Sequence, residues 1–93
     1  MFSKFLSLFA FIAIFSVQLF AQNAQSLRLK QAEEFANQGN LKQALDEYRA
    51  VLSADRNNAE AYLGAGNARL QMKDYQLAID NFKLAQRHNS KLT

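Results

Sequence analysis

Residues Asn40 to Val51 read Asn-Leu-Lys-Gln-Ala-Leu-Asp-Glu-Tyr-Arg-Ala-Val, and Asp74 to Ala85 read Asp-Tyr-Gln-Leu-Ala-Ile-Asp-Asn-Phe-Lys-Leu-Ala. In register, Leu41 pairs with Tyr75, Ala44 with Ala78, Leu45 with Ile79, Asp46 with Asp80, Tyr48 with Phe82 and Val51 with Ala85. Every pair is separated by the same offset. Self-similarity at a fixed period of this length marks a chain built from repeated supersecondary units.

Working outward, the apolar spacing of three and four residues predicts four helices. The first runs from about Leu27 to Gln38, with Ser26 as its cap and Leu29, Ala32, Phe35 and Ala36 on one face. Gly39 ends it, since a helix terminus often needs a left-handed residue that only glycine adopts without a Cβ clash. Asn40 caps the second helix, about Leu41 to Ala54. The turn-forming run Asp55-Arg56-Asn57-Asn58 follows. A third helix is expected from about Ala59 to Met72, and a fourth from Tyr75 to His88 with Tyr75, Ala78, Ile79, Phe82 and Ala85 inward. Four helices of this length joined by such short links must pack as antiparallel neighbours. The expected fold is all-α: two helix–turn–helix hairpins, stacked.

A helix–turn–helix unit of this period and pattern resembles the tetratricopeptide repeat, or TPR. In the second unit Tyr62, Gly66, Tyr75, Ala78, Phe82 and Ala85 occupy the family's large and small packing positions, and Ser90 replaces its usual Pro. In the first unit Ala32, Phe35, Gly39, Ala44, Tyr48 and Val51 match, while Arg28 and Gln31 stand where the family places Trp and Leu. Repeat one then covers about residues 25–58 and repeat two about 59–92, a TPR domain over residues 27–90. The resemblance implies a short right-handed α-α superhelix that binds a protein or peptide in the concave face of its first helices. By position, that face comprises Leu29 and Glu33, with Ser26 and Ala36 beside them, and Glu60, Leu63, Asn67, Leu70 and Gln71. Asn67 is the foremost of these, because an amide can donate and accept at once, as a peptide group does. Arg69, at the position of Phe35, is expected to lay its methylene stem on apolar surface.

The first 21 residues read differently. Lys4 is followed by an almost wholly apolar run from Phe5 to Phe20, and no charge recurs until Arg28. That is the layout of a secretory signal peptide, cleaved after Ala21 or Ala24, with residues 22–26 a polar lead-in. An uncleaved anchor is the alternative, although sixteen or seventeen helical residues span only about 25 Å against a hydrocarbon core of about 30 Å. Either way the remainder is exported: periplasmic or secreted if cleaved, facing the periplasm from the inner membrane if not. The membrane is then met only through residues 1–21.

Composition narrows the chemistry. With no Cys in 93 residues, disulfides, thiolate metal sites and Cys nucleophiles are excluded. The net charge of +3 is interspersed, which argues against nucleic acid. His88 is the single His and reads as a solvated residue favourable to a helix C-terminus. The pairs Glu33-Glu34 and Asp46-Glu47 diverge on a helix and read as solvated faces. Gly64-Ala65-Gly66 lacks the Gly-Lys-Ser/Thr of a phosphate loop. The expectation is a binding module or assembly scaffold without catalysis, metal or cofactor. A membrane-anchored envelope component and an accessory subunit of an exported enzyme are the alternatives. Hairpins of this kind bury their faces only by stacking. The outer side of the last helix, with Leu77 and Leu84, is therefore expected to form an interface, with a second copy or with a larger partner, the alternative being that the chain is a truncated product or a fragment of a longer array.

Overall fold

The computed structural model describes residues 23–89, so the reading of residues 1–21 as signal peptide or anchor lies outside the described residues. Four helices make up the described part: α1 over residues 23–37, α2 over Leu41–Ala54, α3 over Ala59–Gln71 and α4 over Tyr75–His88. The architecture is all-α, two helical hairpins in sequence, with α3 packed against both α2 and α4. No helix of the described residues is long and apolar enough to cross a membrane.

The ends of the helices follow local chemistry. Gly39 has φ +83°, and around it Gly39 N–H donates to Ala36 O (3.0 Å) and Asn40 N–H to Phe35 O (2.8 Å). These two bonds satisfy carbonyls that α1 would otherwise leave unpaired, the Schellman arrangement. One repeat later Lys73 adopts φ +67°, with Lys73 N–H on Leu70 O (3.1 Å) and Asp74 N–H on Arg69 O (2.9 Å). The same stop is thus built twice, once on glycine and once on lysine. Between the hairpins, Asp55 Oδ1 accepts from Asn57 N–H (3.1 Å), and Asn58 Oδ1 caps α3 by accepting from Ala61 N–H (3.1 Å). Asn40 holds the N-cap position of α2, but its side chain donates to Gln38 Oε1 (3.3 Å) and caps nothing.

Three details of the expected boundaries change, the first being that α1 ends at residue 37 and not at Gln38. Residues 23–26 already belong to α1, so Ser26 is an exposed residue inside the helix and not its cap. Ala24 and Gln25 are good helix formers, and a solvated extra turn costs little. The helix α3 ends at Gln71, one residue before Met72.

The core lies where α1, α2 and α3 meet: Ala32, Ala44, Leu45, Tyr48, Val51, Ala61, Ala65 and Ala68 are buried, with Leu29, Phe35, Ala36, Leu41 and Leu52 packed around them. Small residues let the helix axes close to about 8–10 Å, and the larger rings fill the space between. Gly64 and Gly66 take this furthest. A Cβ on Gly64 would collide with the ring of Tyr48, and one on Gly66 would sit 2.6 Å from Cε1 of Phe82.

The inward face expected for α4 needs correction. Ala78 and Ala85 are buried and Phe82 is half-buried, but Tyr75 and Ile79 are exposed. Nothing among the described residues lies beyond that flank, whereas α3 covers the equivalent flank of α2.

Candidate functional site

Helix α1 and helix α3 face one another across a groove of about 410 Å³, with Tyr48 of α2 at its base. From α1 come Leu29, Glu33, Ala36 and Asn37; from α3 come Glu60, Leu63, Gly64, Asn67 and Gln71. Of the residues assigned by position to a concave binding face, Leu29, Glu33, Glu60, Leu63, Asn67 and Gln71 converge here. Leu70 does not line the groove. It is exposed, and at 3.6 residues per turn it falls on the side of Asn67 opposite Gln71, at the margin of the arc that Glu60, Leu63, Gly64, Asn67 and Gln71 cover.

The groove is lined by both apolar and polar side chains. Leu29, Ala36 and Leu63 offer aliphatic surface, while Asn37, Asn67 and Gln71 supply amides that can each donate and accept. Glu33 and Glu60 bring negative charge, and no Lys or Arg lines the groove. Burial, and secondarily the carboxylate of Glu33, push the phenol of Tyr48 above the usual tyrosine range. Tyr48 therefore keeps its proton and presents a neutral ring under the groove. The sequence pattern places Tyr48 among the packing residues, and neither Gly64 nor Asn37 among the groove candidates. The available signal was the period, since Asn37 stands one full repeat before Gln71.

A second depression, of about 510 Å³, opens at the end of the molecule where the α2–α3 turn meets the end of α4. Gln25, Ser26, Asp55, Asn57, Asn58, His88 and Asn89 line it, and Leu29 and Glu60 are shared with the groove. His88 is exposed as expected, but it also stacks on Tyr62 at 5.4 Å between ring centroids, 14° from parallel. The Tyr62 hydroxyl donates to Arg56 O at 2.9 Å. This pair fastens the end of α4 to the start of α3. Where the first repeat has Arg28 in place of Tyr62, the helices are joined instead by an ion pair, Arg28 to Glu47 at 3.3 Å. Arg69 is largely covered along its stem and turns its guanidinium toward Asp74 at 3.9 Å.

The expected outer-face pair is divided by the structure. Leu77 is exposed, but Leu84 is half-buried. At 3.6 residues per turn, Leu77 and Leu84 fall on one flank of the Ala78–Ala85 stripe, and Tyr75, Ile79 and Phe82 fall on the other. The second flank carries more exposed apolar surface.

A family model described as TPR repeat matches residues 32–73, from the middle of α1 through α3 to its left-handed stop. The match supports membership of the TPR family, whose repeats mediate protein–protein interaction. No curated protein matches the sequence.

Proposed function

We propose that this chain is an exported protein–protein interaction module, without catalysis, that holds an extended peptide segment of a partner in the groove between α1 and α3. The observation that carries this reading is the convergence of Asn67, Gln71, Glu33 and Glu60 on one groove that Leu29, Ala36 and Leu63 also line. The amide of Asn67 is placed to accept from and donate to a peptide main chain, and Leu29 and Leu63 flank the path a side chain would take. Glu33 and Glu60, unopposed by any basic lining residue, favour a segment carrying Lys or Arg. Export rests on the charged start and apolar run of residues 1–20, and places the partner in the periplasm or outside the cell. Sequencing the mature N-terminus decides between a released and an anchored form.

Selection of peptides from a displayed random library on the full chain tests the groove. Binders should compete with one another and share a basic residue, and Asn67→Ala should weaken them about tenfold, equivalent to about 1.4 kcal/mol. Binders indifferent to both Asn67→Ala and Glu33→Lys would refute the assignment.

A further inference from the structure

Tyr48 is 4% exposed, yet it lines the groove between α1 and α3. The tip of its ring presses on α3 at Gly64, where an added Cβ would sit 2.5 Å from the phenolic oxygen. Among the described residues that oxygen takes part in no hydrogen bond. No side-chain nitrogen or oxygen sealed from solvent lacks a partner among them either, so the hydroxyl is not closed off in the core and opens on the groove. A polar group drawn this far out of bulk water gains from a partner.

Packing does not require the hydroxyl. Phe82, one repeat on, lays its ring on Gly66 of α3 much as Tyr48 lays its ring on Gly64, and does so without an oxygen. The oxygen is what the first repeat adds, at the one of the two positions that lines the groove.

Its surroundings select the partner. Burial first, and the Glu33 carboxylate second, push the phenol upward, so Glu33 and Tyr48 sense one another at the base of the groove. Glu33 comes from α1, Tyr48 from α2 and Glu60 from α3. Neither Glu33 nor Glu60 has an ion-pair partner among the described residues. Carboxylates beside a phenol oxygen attract a cationic donor and repel an anion. A lysine ammonium is compact and carries three rotatable donors, which suits acceptors on separate helices. A guanidinium is a rigid planar fork, which suits the two oxygens of one carboxylate. Leu29, Ala36 and Leu63 line the same groove and offer apolar surface to the methylene stem of a lysine.

We propose that Tyr48 is a recognition residue: with Glu33 it holds the ammonium of a lysine that the partner segment lays into the groove, its hydroxyl oxygen accepting one hydrogen bond, and the site prefers lysine to arginine. This rests on the peptide-binding reading above and adds to it the side chain selected and the residue that selects it.

The test uses a peptide selected from the displayed library on the full chain, resynthesised with an acetylated N-terminus and with lysine, arginine or norleucine at its basic position. Fluorescence anisotropy should show the arginine form binding at least about fivefold more weakly than the lysine form, and the norleucine form more weakly still. Tyr48→Phe should weaken the lysine peptide about tenfold, the loss expected of a hydrogen bond to a charged group, and leave the norleucine peptide unchanged. Far-UV circular dichroism at neutral pH checks that this variant keeps the fold. Glu33→Gln, at an exposed position, is a second variant that should weaken the lysine peptide and spare the norleucine peptide. Binders indifferent to both Asn67→Ala and Glu33→Lys would show that no peptide lies in the groove, and the lysine site would fall with that reading. Binders that Asn67→Ala weakens but Tyr48→Phe does not, or that accept arginine as readily as lysine, would overturn the lysine site and leave the groove standing. So would a norleucine peptide whose binding returns when its N-terminus is freed, which would assign the ammonium to a main-chain amine.

Discussion

Replacing Lys73 by glycine should stabilise this fold, although it removes a long side chain and adds none. Lys73 is the residue that stops α3, at φ +67°, and it is the one non-glycine with positive φ among the described residues. Its backbone serves the same two hydrogen bonds that Gly39 serves at the end of α1. A Cβ in the left-handed region costs about 1–2 kcal/mol. Glycine returns part of that gain, about 0.5–1 kcal/mol, through the greater freedom of the unfolded chain. The net expectation is about 0.5–1 kcal/mol of added stability, or a rise of about 2–8 °C in Tm for a domain of this size. No ion pair of Lys73 appears among the described residues, so no contact is lost against it. Thermal and urea melts followed by far-UV circular dichroism measure the change. The reciprocal substitution, Gly39→Ala, should cost about 1 kcal/mol, and crowding cannot be the cause because nothing lies within 4 Å of a Cβ built there. A Lys73→Gly variant no more stable than its parent would refute the reasoning, since the geometry at residue 73 would then carry no strain to relieve.

Three further outcomes follow from the same contacts. Asn58→Ala should cost about 1 kcal/mol in a urea melt because it deletes the cap on Ala61 N–H, while Asn40→Ala, at a cap position whose side chain bonds only Gln38, should cost a few tenths. Gly64→Ala should destabilise by about 1 kcal/mol, the collision with buried Tyr48 outweighing the helix propensity of alanine, and Gly66→Ala by less, because half-buried Phe82 can swing outward; equal losses at the two positions would contradict this. The phenol of Tyr48 holds its proton more tightly in the folded chain than its ordinary value of 10.0. Its contribution is therefore whole below pH 10 and lost as pH rises through the higher folded value, so Tyr48→Phe should flatten the fall of stability in that alkaline window, as read from melts at stepped pH.

The fold was legible because its determinants recur. Leu41, Ala44, Leu45, Tyr48 and Val51 repeat as residues of like character one period later, and the small ones fix the helix separation wherever they stand. Helix α4 was placed to the residue from this pattern. What the pattern could not carry was neighbourhood. Tyr75 and Ile79 share the spacing of Leu41 and Leu45 yet are exposed, because periodicity records which way a side chain points and not whether another helix lies in that direction. For the same reason Leu84, paired in sequence with Leu77, differs from it in burial. Ser26 was misread as a cap because a Ser before an apolar run is a common helix start, and a solvated turn of Asn23, Ala24 and Gln25 leaves no apolar trace of its own.

The groove obeys a different rule from the core. Where the two repeats agree, as at Ala44 and Ala78, the residues pack and their chemistry is interchangeable. Where they disagree, the difference has a local purpose. Glu33 and Asn67 occupy equivalent positions on the two walls of one groove, one anionic and one amide, so the groove is not symmetric about its floor. A peptide bound as proposed would meet Glu33 on α1, and Glu60 and Asn67 together on α3. Lys30 and Gly64 disagree just as sharply: Lys30 is exposed on α1, whereas Gly64 lies against the Tyr48 ring inside the stack. Recognition in this chain is therefore to be sought at the positions where its own repeat fails, and the repeat period is the ruler that finds them.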